Sequence, residues 1–518
     1  MADTSSTYDE LPYSDRAFVL AHPDRLAVVG ALYGVSAARV DDCAVLELGC
    51  GLGGNLMPMA AMLEGSRFVG IDLSARQIDQ GRAVIEKLGL DNVELRRQDL
   101  MDFDAGEGPF DYILCHGVYS WVPPAVGDRI LEICGQCLSP NGLAIISYNT
   151  YPGWRSNQAV RDILRYGARG AVGSGEQVAQ AMEYLSFIAR NVFDGESPYG
   201  RVVKEAAERL AGENPTYVFH EYLEECNFPV SFEDFVARAS QADLRFVGDC
   251  GLYDPSNLLS DESRSALTAV ADDVVRCEGM LDFLRNRRFR RDVLCRGDVA
   301  TERWPNPAAL AGMLLSCQAK PVSTKPSTKP GEVEEFRSQA GRSLSTAEPA
   351  LKQALLTLHR AKPRALPYAE MLAKVRASVA NLDEDSLARS LLVCAMGELV
   401  GLHTHLPAID AKPSGRPLAS VVARWQAAEG KLVVDPAHRS VQLDDLSAGV
   451  LSLLDGKRDR RALCDAVTER LRAGELKIAA RLDGGRGASK GAVREVVDDV
   501  LRGLAGLGLL LDRPGGGE

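Results

Sequence analysis

VLELGCGLGGN, residues 45–55, runs an apolar strand into a glycine-rich loop. Gly49, Gly51 and Gly54 satisfy the pattern Gly-x-Gly-x-x-Gly, and an acid follows at Asp72. Such a loop feeds backbone N–H groups and a helix N-terminus toward a ligand, and the obvious ligand is a pyrophosphate. Glu47 argues against it. A carboxylate at the strand end, in a poorly solvated cleft, repels a bound pyrophosphate.

S-Adenosylmethionine carries no phosphate. Its methionyl end bears a sulfonium, an ammonium and a carboxylate, so an acid beside the glycine loop suits it. Residues 44–150 alternate apolar runs with helical segments, the pattern of a parallel sheet covered by helices. Strands are predicted at 44–48, 68–72, 93–100, 110–116 and 143–149, a helix at 74–88 capped by Ser74, and a turn at SPNG, 139–142. Glu47, Asp72 and Asp99 then end three successive strands on the carboxyl edge, where open α/β sheets hold ligands. Asp72 accepts from ribose hydroxyls under either ligand, whereas Asp99 suits an adenine amino group and Leu100 offers the ring a backbone N–H.

With these motifs the chain resembles the class I S-adenosylmethionine-dependent methyltransferases. VLELGCGLGGN is similar to their first motif, GIDLS to the ribose motif, RQDLMDF to the adenine motif and LSPNGLAIIS to the segment around the fifth strand. The resemblance implies S-adenosyl-L-methionine as cofactor and Gly49, Cys50, Gly51 and Gly53 around the methionyl moiety, with Asn55 and Leu73 beside them. It also implies Asp72 on the ribose, Asp99 on the adenine, and Cys115 and His116 lining the cleft. YDELPYSDRAFVLAHPDRL (8–26), HGVYSWVP (116–123), SYNTYPGW (147–154) and FHEYLEECNFPVSFEDFV (219–236) extend the likeness to bacterial methyltransferases with a methyltransferase regulatory domain. That group includes rickettsial protein lysine methyltransferases acting on outer-membrane proteins.

The fold expected is therefore α/β: a Rossmann-like methyltransferase core over 41–300, followed by winged-helix-like α+β modules. A helical insertion is expected at about 151–240, a regulatory or substrate region at 215–300, and last strands at 244–249 and 290–296. The Pro-, Ser-, Thr- and Lys-rich AKPVSTKPSTKPGE (319–332) marks a linker over 301–345. Modules follow at 346–415, with Thr346 as helix cap, and at 416–518. Residues 1–40 read either as a lid bringing Tyr13 and His22 over the cofactor or as a helix packed on the sheet.

A net charge of −12 argues against nucleic acid or anionic membranes as general partners. The basic run FLRNRRFRRD (283–292) reads as a solvated helix end followed by a strand. No apolar stretch is long enough to insert in a membrane, and the acidic N-terminus is unlike a signal peptide, which points to the cytoplasm. The 12 cysteines form no framework and read as reduced thiols; the Cys134/Cys137 pair falls in an amphipathic helix, where packing outweighs metal binding.

Methyl transfer from a sulfonium is an in-line displacement needing neither a metal nor a covalent enzyme intermediate. A lysine acceptor must be deprotonated, so aromatic and proton-accepting groups are sought near the donor. Tyr119 and Trp121 after the fourth strand, Tyr148 and Tyr151 around the end of the fifth, and His220 and Glu221 in the insertion are the candidates. The expected function is methyl transfer to lysine side chains of a protein, with an outer-membrane protein as one acceptor and a homodimer as an open assembly state. A small-metabolite methyltransferase and a non-catalytic binding protein on the same core are the alternatives.

Overall fold

The structure, a computed structural model, describes residues 16–252, 260–270, 272–338, 340–476 and 490–512. Strands β1 (Ala44–Leu48), β2 (Arg67–Asp72), β3 (Val93–Arg97), β4 (Phe110–Cys115), β5 (Leu138–Asn149), β6 (Leu244–Asp249) and β7 (Phe289–Arg296) form one sheet in the order β3-β2-β1-β4-β5-β7-β6. The first five run parallel, and β7 lies antiparallel between β5 and β6. Strand alternation assigns residues to two faces. Val45, Phe68, Leu95, Leu114 and Ile145 share one core with α1 (Pro23–Leu32), α2 (Leu56–Met62) and α3 (Ala75–Leu88), whereas Leu46, Ile71, Ile113 and Ile146 share the other with α4 (Pro124–Cys137).

The predicted caps and turns mostly hold. Ser74 Oγ accepts the Gln77 N–H at 3.2 Å, and Gly89 ends α3 in the left-handed region. Cys134 and Cys137 are buried in α4, inside an apolar core. SPNG differs: it is taken up within β5, where the pairing jumps from Phe110–Leu138 to Tyr112–Leu143 and 139–142 bulge from the ladder.

Between β5 and β6 lie α5 (Trp154–Gly167), α6 (Ser174–Asn191), α7 (Pro198–Leu210), a short helix Pro215–Val218 and α8 (Phe232–Gln241). α5 to α7 bury Leu164, Leu185, Val203 and Leu210 together with Tyr222 in a core of their own, so the insertion is a packed helical layer.

Two readings of the polar segments are corrected. Residues 301–345 do not form a free linker: they carry β8 (Leu314–Cys317), β9 (Ala319–Pro321), β10 (Glu334–Ser338) and β11 (Ser343–Thr346). Leu315, Cys317, Ala319 and Phe336 are buried in the core shared with the main sheet. The Thr-Lys-Pro repeat contributes its backbone instead of an apolar face. The fully buried Lys352 donates through Nζ to the carbonyls of Lys329 at 2.7 Å and Glu332 at 2.6 Å. Nor does Thr346 cap a helix; it ends β11 and accepts from Glu348 N, one residue before the helix Pro349–Ala361 begins.

The basic run is a helix end followed by a strand, as expected: α9 (Val274–Arg285) ends, with Phe283, Leu284, Asn286 and Arg288 exposed, and β7 follows. Within that strand Arg290 is fully buried. Its guanidinium donates to Asp282 at 2.8 and 2.9 Å, Asp292 at 3.0 Å and Glu278 at 2.9 Å, and lies 3.8 Å from the Phe232 ring centroid.

At the N-terminus α1 packs on the sheet, capped by His22 Nδ1, which accepts Asp24 N at 3.0 Å. Tyr13 lies outside the described residues. After three helices and a short strand (Val400–His403), α10 (Val421–Glu429) leads into a hairpin, Leu432–Val434 with Ser440–Gln442, and three further helices that bury Leu451, Leu463 and Val497. The hairpin precedes those helices, and after the last of them Leu511 forms a single antiparallel bridge to Ile409.

Replacing Arg290 with Ala strands several carboxylates in a low-dielectric site, and breaking such a buried pair costs about 3–5 kcal/mol. The expected result is a large fall in the thermal midpoint, partly restored by Arg290→Lys; an unchanged midpoint contradicts this account of the network.

Candidate active site at the carboxyl edge of the sheet

Three glycines shape the loop after β1. Gly49, Gly51 and Gly53 have φ of +75°, +55° and +83°, a region that side chains disfavour. A Cβ on Gly49 would also stand 2.4 Å from Val118 Cγ2. Asp72 secures the loop from the next strand: Oδ2 accepts Gly51 N at 2.9 Å and Oδ1 accepts Ser74 N at 2.9 Å. Beneath the loop Glu47 is buried, and its Oε1 accepts from Asn55 Nδ2 at 2.7 Å.

Above the loop lies a cavity of about 640 Å³, a size usual for small-molecule sites. Glu47, Gly49, Cys50, Gly51 and Asn55 line it, joined by Asp72, Leu73, Asp99, Leu100 and His116. Asp99, two residues past the end of β3, also accepts Met101 N at 2.9 Å, so it caps the short turn Leu100–Asp102 while facing the cavity. His116 stacks on Phe18 with centroids 4.2 Å apart; burial, with Arg291 nearby, lowers its pKa to about 4 and keeps it neutral. Gly53 does not line the cavity. It sits behind the loop against Leu95, with its N–H on the Cys50 carbonyl at 2.9 Å.

Alternation explains which sequence-predicted residues miss the cavity. Cys115 and Tyr148 share a face with Ile113 and Ile146 and are buried in that core. Cys115 is fully buried, its thiol pushed up to about 12 by desolvation, and does not line the cleft. Tyr148 donates its hydroxyl to Asp292 at 2.5 Å and stacks on Phe235 at 4.1 Å. Tyr119 meets Phe235 edge-on at 5.4 Å, and burial pushes its hydroxyl to about 12. These two tyrosines are packing residues. Tyr151 lies under the Arg155 guanidinium at 4.4 Å, also off the cavity.

Trp121, His220 and Glu221 do reach it. Phe219–Leu223 is one turn of π-helix, a distortion that often accompanies function. His220 is held by Glu224, Nδ1 to Oε1 2.9 Å. Burial raises Glu221 to about 7, against the pull of Arg209, Arg161 and Arg288.

Several lining residues lie outside the sequence-based set, Asn149 and Trp154 among them. Asn149 follows Tyr148 and so takes the opposite face; Trp154 opens α5 and meets Trp121 edge-on at 6.4 Å. Asn149 Nδ2 and Trp154 Nε1 are buried with no hydrogen-bond partner among the described residues. Buried polar atoms are rarely left so, and a ligand in the cavity would satisfy them. Strand parity alone would have chosen Asn149 over Tyr148.

The donor set fits S-adenosylmethionine: left-handed glycines leave room for close approach, Asp72 would offer lone pairs to hydroxyls, and Glu47 would meet positive charge. Asp72→Ala is expected to abolish binding of S-adenosylmethionine by calorimetry while the circular dichroism spectrum is kept; undiminished binding contradicts the assignment. Gly49→Ala should likewise lose binding, because its Cβ meets Val118.

Family models match at three places: a methyltransferase domain at 45–142, a predicted methyltransferase regulatory domain at 214–296, and a PKMT C-terminal winged helix domain at 415–509. An uncharacterized protein of Rickettsia prowazekii is 30% identical over 485 residues, covering 91% of this chain and 87% of its own. A second from the same organism is 35% identical over 241 residues, 46% of this chain and 96% of its own. The structure of PKMT2 from Rickettsia typhi in complex with AdoHcy superimposes with a TM-score of 0.83 at 26% identity, over 97% of this chain and 100% of that one. The chain thus belongs to the S-adenosylmethionine-dependent methyltransferases that carry a regulatory domain and a PKMT-type C-terminal winged helix.

Proposed function

We propose that the methyl acceptor is a lysine side chain of a protein. The observation that carries this reading is Glu221, an acid raised to about 7, in the same cavity as the glycine loop and the Trp121–Trp154 pair. The similarity to PKMT2 of Rickettsia typhi along nearly the whole chain supports it.

Bound S-adenosylmethionine supplies an electrophilic methyl group. The protein's task is to present a neutral amine. A lysine with an ordinary pKa of about 10.4 needs roughly 4–5 kcal/mol to lose its proton near pH 7. Desolvation between the two indole rings favours the neutral form, and the ionised Glu221 carboxylate takes the proton that the ammonium gives up. His220, fixed by Glu224, holds the turn that bears Glu221. Asn149 and Trp154 have polar atoms still to be paired and orient the groups that enter.

The test is incubation with methyl-labelled donor and a lysate separated into soluble proteins, envelope proteins and small molecules. Methyl-lysine in a protein hydrolysate supports the reading, and its recovery from the envelope fraction would identify an outer-membrane acceptor. Label confined to small molecules overturns it.

Because the carboxylate form of Glu221 is the active one, kcat should fall as pH drops below about 7. Glu221→Gln should remove that acidic limb and lower kcat by about 10²–10⁴-fold, the usual worth of a proton-accepting group. A limb that persists in Glu221→Gln would exclude this residue as the acceptor of the proton.

A further inference from the structure

Asn55 joins three segments far apart in the chain. Its Nδ2 donates to Glu47 Oε1 at 2.7 Å, and its Oδ1 accepts Phe18 N at 2.9 Å and meets His438 Nε2 at 2.9 Å. Glu47 and Asn55 are each 4% exposed and His438 2%, so bulk water does not compete for these bonds. An amide oxygen only accepts, so His438 must donate, which assigns the Nε2–H tautomer. Burial, with His22 nearby, holds His438 well below its usual pKa, consistent with a neutral ring carrying one N–H. Two donors converging on Oδ1 also determine which way the Asn55 amide faces. The NH2 is thereby turned to Glu47.

His438 sits in the turn of the C-terminal hairpin, and that turn is built to aim it. Its backbone is left-handed, with φ of 62°, and its N–H bonds the Asp435 carbonyl at 2.9 Å. Asp435 Oδ1 accepts Ala437 N at 3.0 Å and Arg439 N at 2.8 Å, closing the turn around it. Next to the hairpin, α10 packs on α2, the helix that the glycine loop begins, and Val422 is buried in the same core as Leu56.

We propose that His438 is a positioning residue for the cofactor: the C-terminal winged-helix region, through His438 and Asn55, orients Glu47 toward the methionyl end of S-adenosylmethionine. Docking of that region and binding of the methionyl group are then one coupled equilibrium. The proposal rests on Glu47 facing the methionyl end.

The test uses the full chain and two ligands, S-adenosylhomocysteine and 5′-methylthioadenosine, which shares the adenosyl thioether but lacks the amino-acid part. His438→Ala should weaken S-adenosylhomocysteine about tenfold, within the usual range of coupling between sites, and leave 5′-methylthioadenosine within about twofold. His438→Gln, which keeps an N–H donor, should recover most of the loss. Adding His438→Ala to Glu47→Gln should cost no more than Glu47→Gln alone, because both act through one contact. Equal losses for both ligands, unchanged S-adenosylhomocysteine affinity in His438→Ala, or additive effects in the double variant overturn the coupling. Should Glu47→Gln alone leave S-adenosylhomocysteine binding intact, the role of Glu47 falls and the coupling with it.

Discussion

Consecutive residues of a β-strand point to opposite faces, and the parallel strands of this sheet use that constraint to separate packing from chemistry. Glu47, Asp72, His116 and Asn149 belong to the face that carries Val45, Phe68, Leu114 and Ile145. Their neighbours Leu48, Ile71, Cys115 and Tyr148 enter the opposite core. Where the strands end, the first face loses its apolar cover and opens into the cavity. The glycine loop, the acids and the Asn149 amide meet there because one pleat brings them to one side.

The rest of the cavity comes from elements that no local pattern links to the sheet. The helical insertion supplies the π-turn and Trp154, and residues before α1 supply Phe18. These walls exclude water, which raises Glu221, lowers His116 and leaves buried polar atoms to be satisfied by what binds. The C-terminal hairpin adds His438 from below. Cofactor loop, N-terminal segment and winged-helix region therefore share one amide, Asn55, and a displacement of any of them reaches Glu47.

Polar segments were hardest to read from composition. The Thr-Lys-Pro repeat has no apolar face, yet the carbonyl of its Lys329 and that of Glu332 just beyond it clamp the buried Lys352. The arginine-rich run is a helix end followed by a strand, as it reads, yet Arg290 within it is enclosed by carboxylates from α9 and from its own strand. In both cases the partners lie outside the window in which a sequence pattern operates, and the desolvation of a charge is set by groups that only the folded chain assembles.

Local chemistry was enough for the strands, the glycine loop, the Ser74 cap, and Glu47 and Asp72 as acids that line the cavity, because each depends on residues within a few positions. From those alone a methyl-donor site could be told from a phosphate site. Tertiary structure decided the remainder. It sent Tyr119 and Tyr148 into the core, brought Asn149 and Trp154 to the cavity, and set His438 against an amide 383 residues earlier. Burial and long-range pairing are properties of the packed whole, and a sequence read in windows contains neither.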